Sequence, residues 1–181
     1  MTDSSAFAFA QSNVDELRAL MSTVPADAAD ELVQRILDAR KVYFSGAGRS
    51  GLMAKAVAMR LMHTGLQSFA VGEIATPGIS AGDLLVVFSA RGGQSTIAQA
   101  RTARSVGADV AAITVRPDAD LVGLAGTVLT LPVRTEVPTQ QHAGSLFEQG
   151  CLVLGDAICR AVQEKLGVPT AELDKRHANL S

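Results

Sequence analysis

The chain has 181 residues, 48% of them hydrophobic, with 16 basic against 18 acidic side chains and a net charge of -2 at pH 7. That length suits one domain with a full core, and the balanced charge, with no run of Lys or Arg, argues against a nucleic-acid partner and for small anionic ligands at most. No apolar stretch reaches the roughly 18 to 20 residues of a membrane span, and the start lacks the basic region and apolar core of a secretion signal, so a cytoplasmic protein with no membrane partner is expected.

From the N-terminus, Asn13 to Arg40 reads as two helices broken near "STVPADAAD", with Pro25 opening the second and Asp27 or Ser22 as a cap. Residues 1–40 are thus read as a helical extension packed on the main body or on a neighbouring subunit, and 41–181 as the main domain. "KVYFSG" predicts a strand, "SGLMAKAVAMRLMHTG" a helix ending at Gly65, and "SFAVG" a second strand. "DLLVVFS" predicts a third, followed by the helix "STIAQARTARSVG" and the strands "DVAAITV" and "GTVLTLPV". Strands with few polar interruptions, separated by helices, predict a parallel sheet covered on both faces. A long helix from about Gly144 to Leu166 follows, then a polar tail, "VPTAELDKRHANLS", with room for one short helix. Cys151 and Cys159 lie eight residues apart in that long helix, about two turns, and read as buried free thiols rather than a disulfide.

Ligands of such sheets sit at the carboxyl ends of the strands. Two loops there carry suitable chemistry. The first, "FSGAGRSG", spans Phe44 to Gly51 with glycines at 46, 48 and 51, so that backbone amides and a helix N-terminus face a ligand. The spacing also fits the dinucleotide fingerprint G-x-G-x-x-G, and Glu73 lies near the position of the acidic residue that grips a ribose. Arg49 and Ser50, which add a charge and a hydroxyl, favour a phosphomonoester instead. The second loop repeats strand, small residues and helix start one crossover later, through Ser89, Ala90, Arg91, Gly92, Gly93, Gln94, Ser95 and Thr96. Taken singly, either loop also reads as a tight turn with an ordinary helix cap.

The two loops together resemble a sugar isomerase (SIS) domain. Within that superfamily, "GAGRSGL", "AMRLMHTGL", "VGEIATP", "AGDLLVVFS", "AGSLFEQ" and "KRHANLS" resemble the 6-phospho-3-hexuloisomerase family over residues 42 to 181. The resemblance implies an α/β fold: a single SIS domain with a five-stranded parallel sheet, helices on both faces, doubly wound and Rossmann-like. It implies interconversion of arabino-hex-3-ulose 6-phosphate and fructose 6-phosphate, in the ribulose monophosphate pathway of formaldehyde fixation. It also implies no metal, no redox cofactor, and a homotetramer or dimer of dimers.

Where that family usually reads serine, glycine, serine, glycine, a variable residue and threonine, this chain has Ser89, Ala90, Arg91, Gly92, Gly93 and Gln94. Ser89 and Gly92 match, while two hydroxyls are replaced by Arg91 and Gln94. The expected substrate and phosphate contacts are Arg49, Ser50, Ser89, Ala90, Arg91, Gly92, Gly93, Gln94 and Ser95. Arg91 is expected to face the phosphate through a charge-assisted contact, with a solvent-facing Arg91 as the alternative.

Shifting a carbonyl between adjacent carbons needs a base to carry a proton through an enediol. Glu148 matches the family's "SLFEQ" and is the expected base, although Ser145 to Glu148 also has the spacing of a capping box. His177 matches the family's terminal histidine and is expected to shuttle protons between sugar oxygens or assist ring opening, in its own or a neighbouring subunit's pocket. Glu73 is a weaker candidate for the sugar hydroxyls or a subunit contact. His63 is explained by a charge-dipole interaction at a helix end, and His142 as surface on a mobile loop. The alternative functions are isomerisation of another phosphosugar, phosphosugar binding without turnover, and nucleotide-dependent redox chemistry.

Overall fold

The computed structural model describes residues 5–117 and 120–179. The chain opens with two helices, α1 (Ala6–Met21) and α2 (Ala26–Asp38). Helix α1 begins before Asn13, because the Ser5 hydroxyl accepts a hydrogen bond from Ala8 N–H at 3.1 Å and so caps an earlier turn. Pro25 stands at the N-cap of α2 as expected, and Asp27 accepts from Ala28 N–H at 3.0 Å in its first turn. Ser22 instead ends α1, its hydroxyl donating to Ala19 O at 2.7 Å.

Strand β1 (Val42–Gly46) leads into α3 (Arg49–Met62), then β2 (Ser68–Ala70) and β3 (Leu84–Phe88). Helix α4 (Gln94–Ser105), β4 (Asp109–Thr114), β5 (Thr127–Thr130), the long α5 (Ser145–Leu166) and the short α6 (Thr170–Asp174) complete the order. The five strands are all parallel, in the order β2-β1-β3-β4-β5. Among the described residues, no helix is long and apolar enough to cross a membrane.

Strand β3 is buried along its whole length, because its alternate residues serve two cores. Leu84, Val86 and Phe88 join Leu20, Ile36, Leu61 and Phe147 beneath α1, α2, α3 and α5. Leu85 and Val87 join Tyr43 and Val110 beneath α4, which contributes Ala100 and Ala103 with Ile97 partly buried beside them. Each buried leucine or phenylalanine contributes about 1.5–3 kcal/mol, so the first layer, which takes in both N-terminal helices, carries most of the stability. The N-terminal hairpin therefore packs on the main body.

Helices α3 and α5 make the tightest contact on that side. A Cβ on Gly155 would lie 2.4 Å from Val57 Cγ2, so only glycine lets the two helices approach this closely. The strand order places a topological switch between β1 and β3, where α3 leaves one face of the sheet and α4 the other, and a crevice opens at the carboxyl ends of these strands.

Candidate active site

The loop after β1 enters α3 through Gly48, whose φ of 58° and ψ of -133° suit glycine alone. Gly46 and Gly51 press together across the turn: a Cβ on Gly51 would sit 2.7 Å from Gly46 O, and one on Gly46 would sit 2.8 Å from Gly51 N. Strand-to-helix packing thus accounts for the three glycines without a dinucleotide. Arg49 and Ser50 head α3 just past the carboxyl end of β1, where Gly51 N–H is already taken by Ala47 O at 3.4 Å and Leu52 N–H by Gly48 O at 3.2 Å.

Glu148 reaches the same point from α5. Its Oε2 lies 2.7 Å from Arg49 Nε, with the glutamate side chain 13% exposed and the arginine 60%. The contact is one of charge rather than an aligned hydrogen bond, since Oε2 is buried and accepts none. The capping box is not formed: Gly144 is the N-cap, Ser145 is the first helical residue, and no side chain bonds to the cap. The carboxylate folds back over Gly144, where a Cβ would lie 3.3 Å from Oε1. One turn deeper, burial pushes the Cys151 thiol well up, and the Glu148 charge adds to the effect. Both cysteines are free and buried.

In the second loop Ser89 is turned inward. Its Oγ accepts from Gly93 N–H at 3.2 Å and lies 3.2 Å from Thr96 Oγ1, which donates to Gly93 O at 2.7 Å. Ser89 and Thr96 therefore clasp the loop, and both are buried. Gly92 turns at a φ of 64° and Gly93 is the N-cap of α4. Gln94 and Ser95 are left exposed on the first turn, next to its unpaired amides. Ala90 and Arg91 lie on the side facing α5 and line a cavity with Arg116, Arg134, Gly144 and Phe147.

His177 is not brought to Glu148 within the chain. Its ring lies tilted against that of His63, centroids 4.2 Å apart, just past the C-terminus of α3. Arg49 opens that 14-residue helix, and at 1.5 Å per residue the separation is about 20 Å. Arg176 anchors the tail there by donating to His63 O at 3.0 Å. His63 does not carry the charge-dipole role expected of it: it is buried, and desolvation, with the neighbouring His177 and Arg60, lowers its pKa and favours the neutral ring. Glu73 is engaged with Lys55 of α3 at 2.5 Å, both about half exposed. His142 is exposed on the loop before α5.

Composition and motifs did not single out Glu16. From α1 it accepts hydrogen bonds from Thr139 Oγ1 at 2.6 Å, Gln140 N–H at 2.9 Å and Gln141 Nε2 at 2.9 Å. Gln141 Oε1 in turn accepts from Gln149 on α5 at 2.9 Å. The N-terminal hairpin thereby holds the loop that delivers Gly144 and Glu148. A separate cavity of about 290 Å³ lies across the sheet under α4, between Tyr43, Val71, Pro77 and Leu85. Its walls are largely apolar and ill suited to a phosphosugar.

Comparison with known proteins places the chain among relatives. Residues 35–150 match the SIS domain family. A Mycobacterium gastri protein named 3-hexulose-6-phosphate isomerase is 40% identical over 172 residues, covering 92% of this chain and 86% of that protein. A Bacillus subtilis protein of the same name is 37% identical, covering 92% of this chain and 94% of its own. A crystal structure from Methanococcus jannaschii, described as inferring a molecular function of 3-hexulose-6-phosphate isomerase, superposes with a TM-score of 0.84 at 29% identity. That alignment covers 94% of this chain and 98% of that one.

Proposed function

Given that the chain belongs to the SIS domain family and, within it, to the 6-phospho-3-hexuloisomerase family, we propose that it interconverts arabino-hex-3-ulose 6-phosphate and fructose 6-phosphate. The observation that carries the mechanism is the Arg49–Glu148 pair at 2.7 Å, with a buried Glu148 oxygen that accepts no aligned hydrogen bond. Glu148 takes the proton from C2 of the 3-ketose, the C2–H electrons form the C2–C3 double bond, and negative charge develops on O3. The Arg49 guanidinium supplies the positive charge beside that oxygen. Return of the proton to C3, with transfer of the O2 proton to O3, gives the 2-ketose. Oxidation state moves within one substrate and Arg49 meets the charge, so the proposed reaction uses no metal and no redox cofactor.

The phosphate is held at the opening of α4, by first-turn amides with Ser50, Arg91, Gln94 and Ser95, while Ser89, Ala90, Gly92 and Gly93 shape the loop. His177, about 20 Å from Glu148 along α3, serves a neighbouring subunit's site as proton shuttle, within a cytoplasmic homotetramer of the ribulose monophosphate pathway. Residues 1–40 are a helical extension to the phosphosugar-binding domain at 41–181.

The test is a coupled assay of fructose 6-phosphate formation from hexulose 6-phosphate generated in situ. Wild type should turn over and Glu148→Gln should not, with fructose 6-phosphate still raising the melting temperature of both. A wild type that binds phosphosugar without turnover would sink the assignment.

A further inference from the structure

The cavity between α5 and the loops after β3, β4 and β5 has a volume of about 410 Å³ and is lined by Arg91, Arg116 and Arg134. No Asp or Glu lines it, and among the described residues neither Arg91 nor Arg116 has a side-chain hydrogen bond or ion pair. Glu136 lies in an adjoining cavity that Arg116 also borders, without pairing with it among the described residues. Arg134 is held in place, its Nη2 donating to Gln141 O at 2.6 Å and its N–H to Val137 O at 2.8 Å. Arg134 also acts on the Glu16 charge, whereas Arg91 and Arg116 have no such partner among the described residues, and guanidinium groups offer charge-assisted, fork-shaped hydrogen bonds that match a phosphoryl group. The N-terminus of α5 borders the cavity at Gly144, over which the Glu148 carboxylate folds, so the arginines rather than the helix end supply its positive charge.

The backbone points to the same place. Arg134, at a φ of 65°, and Ala143, at 50°, are the non-glycine residues with positive φ among the described residues, and both line this cavity. Such conformations persist where the surroundings over-determine them, and they cluster at ligand sites. The residues that open α4 do not line the cavity, which is bordered instead by Gly144 and Phe147 at the start of α5.

We propose that this cavity is a second anion subsite, in which Arg116 and Arg134, with Arg91 shared between the two positions, take the far phosphoryl group of a sugar bisphosphate. Its placement relative to the first phosphate rests on the reading under Proposed function. A sugar bisphosphate then spans the crevice from the α4 amides to the arginines and competes with the monophosphate substrate.

Calorimetric titration with fructose 6-phosphate and with fructose 1,6-bisphosphate tests this on wild type, Arg116→Ala, and the double variant Arg116→Ala with Arg134→Ala. The single variant guards against loosening of the loop that Arg134 ties to Gln141. Wild type should bind the bisphosphate at least tenfold more tightly than the monophosphate. That ratio should fall partway in the single variant and approach one in the double. Equal affinities in wild type, or a ratio unchanged in both variants, overturn the second subsite and leave the isomerase reading standing. A ratio that behaves as expected in a protein without isomerase activity overturns that reading alone, and failure to bind either sugar overturns both.

Discussion

Arg49 Nε and Glu148 Oε2 meet at 2.7 Å across the first turns of two helices that lie far apart in the chain. Both helices start at the carboxyl edge of the sheet, and their packing two turns further on, at Val57 and Gly155, sets the distance between the charges.

If the pair acts as a unit, its mutational effects are not additive. Glu148→Gln is expected to lower kcat by about 10²- to 10⁴-fold, the range for loss of a general base. Arg49→Ala should lower kcat less, and the double variant should be little worse than Glu148→Gln alone. Multiplying effects in steady-state kinetics would show that Arg49 works independently of Glu148.

Gly155→Ala tests the helix contact. The added methyl meets Val57 at 2.4 Å, and overpacking of this kind costs about 1–3 kcal/mol. Urea unfolding should show the loss, and kcat should fall with it because α3 and α5 must separate. An unchanged midpoint would mean that the helices slide apart without resistance.

The Glu16 clamp predicts a dependence on acid. Burial pushes its pKa up, but the hydrogen bonds from Gln140 N–H, Thr139 and Gln141, with the Arg134 charge, outweigh this and hold it below the ordinary 4.5. The folded state therefore binds this proton less readily than the unfolded chain. Its contribution to stability is complete above about pH 4.5 and disappears as pH falls through the lowered native value. The stability difference between wild type and Glu16→Gln should shrink between pH 6 and pH 3 in urea titrations. A constant difference across that range would count against the clamp.

The two thiols should be inert in the native protein. Burial pushes Cys159 up to about 12, the Asp156 charge adding to it, and raises Cys151 as well. Because the thiolate is the nucleophile, a disulfide reagent at pH 8 should label neither until denaturant is added, and then both. Labelling of one thiol in the folded state would reveal local opening of α5.

The alternation of strands and helices was legible because β1, β3 and β4 are nearly continuous apolar runs, each with a glycine close to one end, and a parallel sheet buried on both faces calls for that pattern. Gly46, Gly48 and Gly51 marked the tight turn at β1 for the same local reason. The spacing of Ser145 and Glu148, by contrast, read equally well as a capping box, and only the position of Gly144 at the N-cap ruled that box out. Ser89 and Thr96 looked like hydroxyls open to a ligand, but they spend their hydrogen bonds on the loop itself. Glu16 carries no motif, since its partners lie beyond the sheet in sequence.

What the sequence determined by itself is what short-range chemistry encodes: the parallel α/β pattern, the two glycine-bearing loops, the paired helices at the N-terminus and the buried thiols. The tertiary structure alone decided that Arg49 touches Glu148, that His177 lies against His63 at the far end of α3, and that Arg91, Arg116 and Arg134 share one cavity. Those contacts join segments from 18 to 114 residues apart. Their distances follow from how tightly whole helices pack, and hydrophobic periodicity does not record that.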